Sequence, residues 1–271
     1  MKKERVDVLA FNQGLFETRE KARRGVMAGL VYDQKNERLD KPGEKIAGDS
    51  QLHVKGQTLA YVSRGGLKLE KALRDFNVEI NGKIMLDIGS STGGFTDAAL
   101  QNGAKLSYAL DVGYNQLAWK LRQDERVVVM ERTNFRYSTL NDFDKGQPEF
   151  ATIDVSFISL KLILPPLKKI IVDGGDVIAL IKPQFEAGKE FVGKKGIVRD
   201  PKTHLKVLSE ITDFAVTQGF NVEELTYSPI TGGEGNIEFL VHLKSAGETG
   251  TINPAIDLSQ VVDSAHKYLE K

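Results

Sequence analysis

The residue types best suited to chemistry fall at the ends of short apolar runs. The run 84–88 closes on Asp87-Ile88-Gly89 and passes through Ser90-Ser91-Thr92 into Gly93-Gly94-Phe95-Thr96. Glycines spaced Asp-x-Gly-x-x-x-Gly, after an apolar run and before a helix, make a turn whose backbone a nucleotide-type ligand can approach closely. The spacing differs from Gly-x-Gly-x-x-Gly, which argues against a nicotinamide dinucleotide, and no Gly-Lys-Ser/Thr follows, which excludes a P-loop. Further along, runs end on Asp111, on Asp154-Val155-Ser156-Phe157 and on Lys182-Pro183-Gln184-Phe185. Glu238 stands near the start of the last run, after the loop Thr231-Gly232-Gly233-Glu234-Gly235-Asn236.

The glycine pattern that remains is the one used by S-adenosylmethionine enzymes. Asp111 lies twenty-two residues past Gly89, where a carboxylate can accept hydrogen bonds from both ribose hydroxyls. The expected cofactor contacts are therefore Asp87, Gly89, Ser90, Ser91, Gly93, Gly94 and Phe95, with Asp111 and Val112 on the second run. Asp and Lys at successive strand ends are costly if buried without partners, so they are expected to be paired or functional.

Such placement requires alternating strands and helices. β-type runs are expected at 84–88, 106–112, 127–130, 150–155, 177–181, 221–225 and 237–243, with helices over 64–73, 95–101, 115–122, 160–172 and 201–218. Pro165-Pro166 should break or kink the fourth of these helices. This alternation implies an α/β fold, a doubly wound sheet with right-handed crossovers and ligands outside the strand ends. A last strand running antiparallel would bring Glu238 to the same rim as Asp154 and Lys182. A final helix is expected over 257–269.

The first 60 residues follow a different plan. Val6, Leu9 and Ala10 have helical spacing ended by Gly14. Thr18 can cap a second helix reaching about Ala28, with Gly29 as its stop. Short strand-like pieces follow at Val31-Tyr32, Lys45-Ile46 and Leu52-His53-Val54. Residues 1–74 hold 16 Lys/Arg against 10 Asp/Glu, in a chain whose totals balance at 37 each. Arg19 and Arg23 are i, i+4 neighbours on the second helix, with Lys21 and Arg24 alongside. Clustered cations of this kind can neutralise phosphates along one helix with little base readout.

Composition removes several classes. The 271 residues are 41% hydrophobic and 27% charged, as in ordinary soluble proteins. No apolar run reaches the about 18 residues of a membrane span, and no apolar segment of a secretory signal follows the basic Met1-Lys2-Lys3. A cytoplasmic location is the default expectation. With no cysteine there is no disulfide, thiolate zinc site, iron–sulfur cluster or Cys nucleophile. His53, His204, His242 and His266 show no metal spacing, so no metal is expected.

The N-terminal segments Arg5-Val6-Asp7-Val8-Leu9, Gly14-Leu15-Phe16-Glu17-Thr18-Arg19-Glu20-Lys21-Ala22 and Gly29-Leu30-Val31 resemble the RNA-binding module named after ribosomal protein S-four. Essentially the whole chain resembles the TlyA family of rRNA methyltransferases, often labelled hemolysin. The most specific pieces are Ser63-Arg64-Gly65-Gly66-Leu67-Lys68-Leu69, the stretch Asp87–Thr96, Asp111-Val112-Gly113-Tyr114-Asn115-Gln116-Leu117, Asp154-Val155-Ser156-Phe157-Ile158-Ser159 and Ile181-Lys182-Pro183-Gln184-Phe185-Glu186. The resemblance implies an S-four-like α+β domain over 1–58, a linker over 59–63 and, over 64–271, an FtsJ-like, Rossmann-like methyltransferase domain of seven strands with the last antiparallel. It also implies S-adenosylmethionine as cofactor, rRNA or ribosomal subunits as partner and cytidine ribose as target. Lys68, Asp154, Lys182 and Glu238 match the Lys-Asp-Lys-Glu tetrad of ribose 2′-O-methyltransferases. At the junction Tyr61 takes the place of the family's aromatic residue, while Leu59 stands where relatives commonly carry a basic one.

A ribose 2′-OH is a weak nucleophile and a methyl sulfonium a strong electrophile, so the enzyme must align the two and take a proton. Lys182 is the expected proton acceptor, with nearby Lys68 and desolvation favouring its neutral form. Asp154 is expected to orient Lys182 and the hydroxyl, and Glu238 to balance the second lysine. Arg5, Arg19, Lys21, Arg23 and Arg24, with Lys189, Lys194 and Lys195 of the Gly/Lys-rich segment 186–200, are the expected RNA contacts. Asp154-Val155-Ser156-Phe157 lacks the prolines of adenine amino-methyltransferases. The rival readings are a non-catalytic RNA-binding or ribosome-assembly factor and a membrane-active hemolysin; for the latter no long amphipathic basic helix is evident.

Overall fold

The computed structural model describes residues 3–16, 18–55 and 60–269. It divides into two compact units, residues 1–60 and 61–271. Glu17, and Gly56, Gln57 and Thr58 at the end of the expected first domain, with Leu59 of the expected linker, lie outside the described residues.

In the first unit a strand β1 (Lys3–Arg5) leads directly into helix α1 (Val6–Asn12), followed by α2 (Arg19–Met27) and strands β2 (Val31–Asp33), β3 (Lys45–Ala47) and β4 (Leu52–Val54). β1 pairs with β3 and β2 with β4, both antiparallel. The helix begins at Val6 because Glu4 and Arg5 take extended backbone against Ile46 and Lys45. The Thr18 hydroxyl accepts from the Lys21 N–H (3.2 Å), the cap expected for α2. Val6, Leu9, Ala10, Ala22, Val26, Val31 and Leu52 form a small core of their own.

The second unit is built on a seven-stranded sheet: β5 (Ile84–Ile88), β6 (Leu106–Leu110), β7 (Val127–Met130), β8 (Phe150–Ile153), β9 (Asp176–Ile181), β10 (Phe220–Tyr227) and β11 (Phe239–Ser245). The spatial order is β10-β11-β9-β8-β5-β6-β7. β5 to β9 are parallel neighbours, and β11 enters antiparallel between β9 and β10. The expected doubly wound α/β sheet with an antiparallel last strand is present. Both faces are covered, which is why the strands read as nearly continuous apolar runs. One face packs on α3 (Gly65–Asp75) and α4 (Gly94–Gln101) through Met85, Ala109, Phe150 and Leu240. The other carries Leu86, Ile88, Ile153, Ala179 and Val241 in one core with residues of the remaining long helices.

Several helices are shorter than the patterns suggest. Only Trp119–Arg122 (α5) is helical within 115–122, since Asn115 adopts a left-handed backbone (φ 57) and its chain runs on as loop. Within 160–172 a 3₁₀ turn, Leu160–Leu162, precedes α6 (Leu164–Lys168), and Pro165-Pro166 occupy its first turn, where a missing N–H costs little. α7 (Pro183–Glu186), α8 (Pro201–Thr217) and α9 (Leu258–Leu269) complete the unit. The runs expected at 106–112 and 150–155 stop as strands at Leu110 and Ile153, leaving Asp111 and Asp154 in loops at the rim.

Candidate active site

At the end of β5 the backbone swings at Gly89 (φ 87), and a Cβ there would lie 2.4 Å from the Asp154 carbonyl oxygen. Only glycine lets the β5 turn pass so close to the end of β8. Beneath this turn Asp87 is fully buried, on the same strand face as its register neighbour Thr152. Its carboxylate accepts from Thr96 N–H (3.1 Å), Thr96 Oγ1 (2.7 Å) and Thr152 Oγ1 (2.9 Å). Burial pushes this carboxyl up to about 6 against those hydrogen bonds. Asp87 therefore ties α4 to the sheet and holds the turn from below, and its oxygens do not line the cleft above.

Asp111, just past β6, accepts from Ser91 N–H (2.8 Å) and Gly113 N–H (2.7 Å). Each of its oxygens retains a lone pair for a further donor. Val112 beside it is 69% exposed.

The four tetrad residues converge from four elements. Lys68 lies in the first turn of α3, Asp154 follows β8, Lys182 follows β9 and Glu238 precedes β11. Phe239 pairs with Ile181, so antiparallel entry of β11 carries Glu238 to the rim where the parallel strands end. Lys182 Nζ lies 2.5 Å from Asp154 Oδ1, and Lys68 Nζ lies 3.6 Å from Asp154 Oδ2 and 2.6 Å from Glu238 Oε2. Ser156 Oγ is 3.4 Å from Lys182 Nζ, and Gln184 Nε2 is 3.4 Å from Glu238 Oε1. Lys68, Lys182 and Glu238 are all buried. Burial works against the charge on Lys68, but the facing Asp154 and Glu238 win and hold its ammonium above the usual lysine range. Burial likewise raises the Asp154 carboxyl, and Lys68 and Lys182 outweigh it to hold it below the usual carboxylate range. Two lysine and two carboxylate side chains thus form one closed set.

The glycine turn and this set share one cleft of about 340 Å³, lined by Gly89, Ser90, Ser91, Gly94 and Phe95 together with all four tetrad residues. Gly93 caps α4 just behind it. Ser63, Arg64, Ser156, Thr231 and Gly232 also line it and had not been singled out as site residues. Their signal lies in the Ser-Arg-Gly-Gly run, in Asp154-Val155-Ser156-Phe157 and in the glycine-rich loop before Glu238. Ser63 and Arg64 are brought there because Asp97 of α4 accepts from the Val62 N–H at 2.7 Å.

None of the expected RNA contacts is among the residues lining this cleft. Arg5 is held two-pronged by the buried Asp7 (2.9 and 3.0 Å), and Arg19 approaches the same carboxylate at 3.6 Å. Hydrogen bonding from Arg5 keeps the Asp7 carboxyl below its ordinary range. Arg23 and Arg24 sit near Glu20 at 3.9 and 3.4 Å with their heads in solvent, and Lys21 is exposed. In the second unit Lys189, Lys194 and Lys195 are exposed on the segment between α7 and α8. Among the described residues no His/Asp/Glu cluster is placed to hold a metal ion, and no helix is long and apolar enough to cross a membrane.

Residues 61–245 match the family model described as FtsJ-like methyltransferase. The chain belongs to the FtsJ-like methyltransferase family. A Bacillus subtilis (strain 168) protein with the provisional name rRNA methyltransferase YqxC is 66% identical to this methyltransferase over 272 residues, spanning 100% of this chain and 96% of its own. The Mycobacterium tuberculosis protein named 16S/23S rRNA (cytidine-2'-O)-methyltransferase TlyA is 36% identical over 273 residues, covering 98% and 97% of the two chains. A solved Streptococcus thermophilus chain, provisionally described as a hemolysin, superposes with a TM-score of 0.79 at 61% identity and covers 100% of this methyltransferase and 98% of itself.

Proposed function

We propose that this methyltransferase transfers the methyl group of S-adenosylmethionine to a ribose 2′-oxygen of ribosomal RNA, a cytidine as the name of its TlyA relative states for that enzyme. The observation that carries the reading is the single cleft in which the glycine turn and the Lys68–Asp154–Lys182–Glu238 set meet. When bound, the cofactor supplies an electrophilic methyl group on a sulfonium. The residues present fit it. Gly89, Ser90, Ser91 and Gly94 line the cleft with Gly93 behind them, Phe95 and Val112 offer apolar surface, and Asp111 keeps acceptor capacity for ribose hydroxyls. Asp87 serves the turn from beneath.

The chain's own work is to align the 2′-oxygen with the methyl carbon and to receive the hydroxyl proton. Lys182 enters this step as the free amine and leaves it as the ammonium, its Nζ taking the hydroxyl proton; Asp154 orients Lys182 and the hydroxyl, and Lys68 with Glu238 keeps the charge balanced. Residues 1–58 act as the S-four-like RNA-binding domain, joined through 59–63 to the catalytic domain 64–271. The cations Arg19, Lys21, Arg23 and Arg24, with Arg5 held on Asp7, meet phosphates; Lys189, Lys194 and Lys195 do so beside the cleft. Such a task places the enzyme with the ribosomes of the cytoplasm.

The test is methyl transfer from labelled cofactor to ribosomal subunits purified from cells lacking the protein, followed by mapping of 2′-O-methyl positions. Label on cytidine ribose supports the reading; label on a base, or none, overturns it.

A further inference from the structure

Two loops of the second unit share one conformation. In residues 193–197 the Gly193 N–H donates to the Ile197 carbonyl (2.9 Å) and the Gly196 N–H to the Gly193 carbonyl (3.1 Å). In residues 232–236 the Gly232 N–H donates to the Asn236 carbonyl (2.8 Å) and the Gly235 N–H to the Gly232 carbonyl (3.3 Å). The third residue of each is a non-glycine in left-handed backbone, Lys195 at φ 66 and Glu234 at φ 56. Such backbone costs energy and persists only where neighbours over-determine it.

The Asn236 side chain clasps the two loops together. Its Oδ1 accepts from Val198 N–H (3.0 Å), and its Nδ2 donates to the carbonyls of Gly196 (2.9 Å) and Gly233 (3.1 Å). Asn236 is 3% exposed, so these bonds are made away from water, where losing one is expensive. Val198 is pinned at its other end by His204 Nε2 of α8, 3.1 Å from its carbonyl oxygen. On the far side of the clasp, the 232–236 loop rests on the tetrad: a Cβ at Gly232 would lie 2.0 Å from Glu238 Oε1. Continuous contact therefore runs from the exposed Lys194 and Lys195, through Gly196 and Asn236, to Glu238 and its ion pair with Lys68.

The geometry points to Asn236 as a positioning residue that couples the engagement of RNA by Lys194 and Lys195 to the alignment of the Glu238–Lys68 side of the tetrad. This rests on the RNA methyltransferase reading of the cleft. With the clasp intact, phosphate drawn onto the lysines fixes the 193–198 loop, which fixes the roof over Glu238. Without it the lysines still attract RNA, but their engagement no longer reaches the cleft.

The experiment is a double-mutant cycle. Single-turnover methyl transfer to purified ribosomal subunits, at saturating subunit and cofactor, is measured for wild type, Asn236→Ala, the pair Lys194→Ala/Lys195→Ala and the triple variant. Asn236→Ala is expected to lower the saturating rate about tenfold or more while subunit affinity stays within about threefold. The lysine pair should slow the wild-type enzyme yet leave the Asn236→Ala rate unchanged, because the coupled element is already lost. Rate losses that multiply in the triple variant overturn the clasp, as does an Asn236→Ala rate within about twofold of wild type. Thermal melts check folding; if Asn236→Ala does not fold, Asn236→Ser, too short to span both loops, takes its place in the cycle. A wild-type enzyme that leaves subunits unmethylated overturns the reading of the cleft and the clasp with it. An active wild type with multiplying losses overturns the clasp alone.

Discussion

The Lys68 ammonium lies 2.6 Å from the Glu238 carboxylate although 170 positions of sequence separate them. The pair exists because α3 begins beside the glycine turn and β11 enters the sheet backwards. Both groups are buried, so each depends on the other to offset lost hydration.

This dependence separates stability from catalysis. Lys68→Met alone leaves Glu238 buried against the polar end of Gln184 only, and is expected to destabilise the fold by about 3 kcal/mol. Lys68→Met combined with Glu238→Leu should regain most of that stability, since apolar residues of similar volume replace a buried pair at little cost. The double variant should nevertheless transfer no methyl group. Denaturant titration with a transfer assay checks both halves; a stable, active double variant would show that the pair is only structural.

Asp87 gives a pH signature. Its folded-state carboxyl, near 6, lies above the ordinary 3.8. Between those values the folded state holds a proton that the unfolded chain has lost, so stability falls as pH rises through this window and is flat above it. The span corresponds to about 3 kcal/mol at most. Asp87→Asn removes the titration, so the stability difference between wild type and variant should change in the variant's favour from pH 4 to 7. Parallel stability curves for the two proteins would contradict the assignment.

The N-terminal arginines should split into two kinds. Arg5 compensates the buried Asp7, so Arg5→Ala is expected to lower the melting temperature as well as RNA affinity. Arg23→Ala and Arg24→Ala, whose heads are in solvent, should leave melting unchanged, weaken subunit binding and flatten its salt dependence. Melting curves and binding at several salt concentrations distinguish them. Unchanged affinity in both variants would remove α2 from the RNA surface.

Much of the catalytic domain was legible because of how it is buried. Strands covered on both faces read as apolar runs, and the charged residues closing them, Asp154 and Lys182, stand out against that background. Glu238 was legible only with the antiparallel sense of β11, which pairs Phe239 with Ile181. The direction of Asp87 was not legible: a carboxylate in a Gly-turn motif reads as a ligand contact, and only its register with Thr152 and the hydrogen bonds it accepts from Thr96 turn it inward. Helicity over 115–122 failed because Asn115 turns left-handed and the Gln116 N–H is taken by Glu131 at 3.2 Å, a partner from the next strand's end. The same long-range character hid Asn236 as a clasp, since its partners Gly196 and Val198 lie far back in the sequence.

The central claim is that Lys182 handles the proton of a ribose 2′-hydroxyl in the cleft it shares with the cofactor turn. Its most direct test is single-turnover methyl transfer to ribosomal subunits by Lys182→Ala, with cofactor affinity measured on the same preparation by calorimetry. The account expects the rate to fall by about a hundredfold or more while cofactor affinity stays within a few-fold. Near-normal turnover in Lys182→Ala would contradict it.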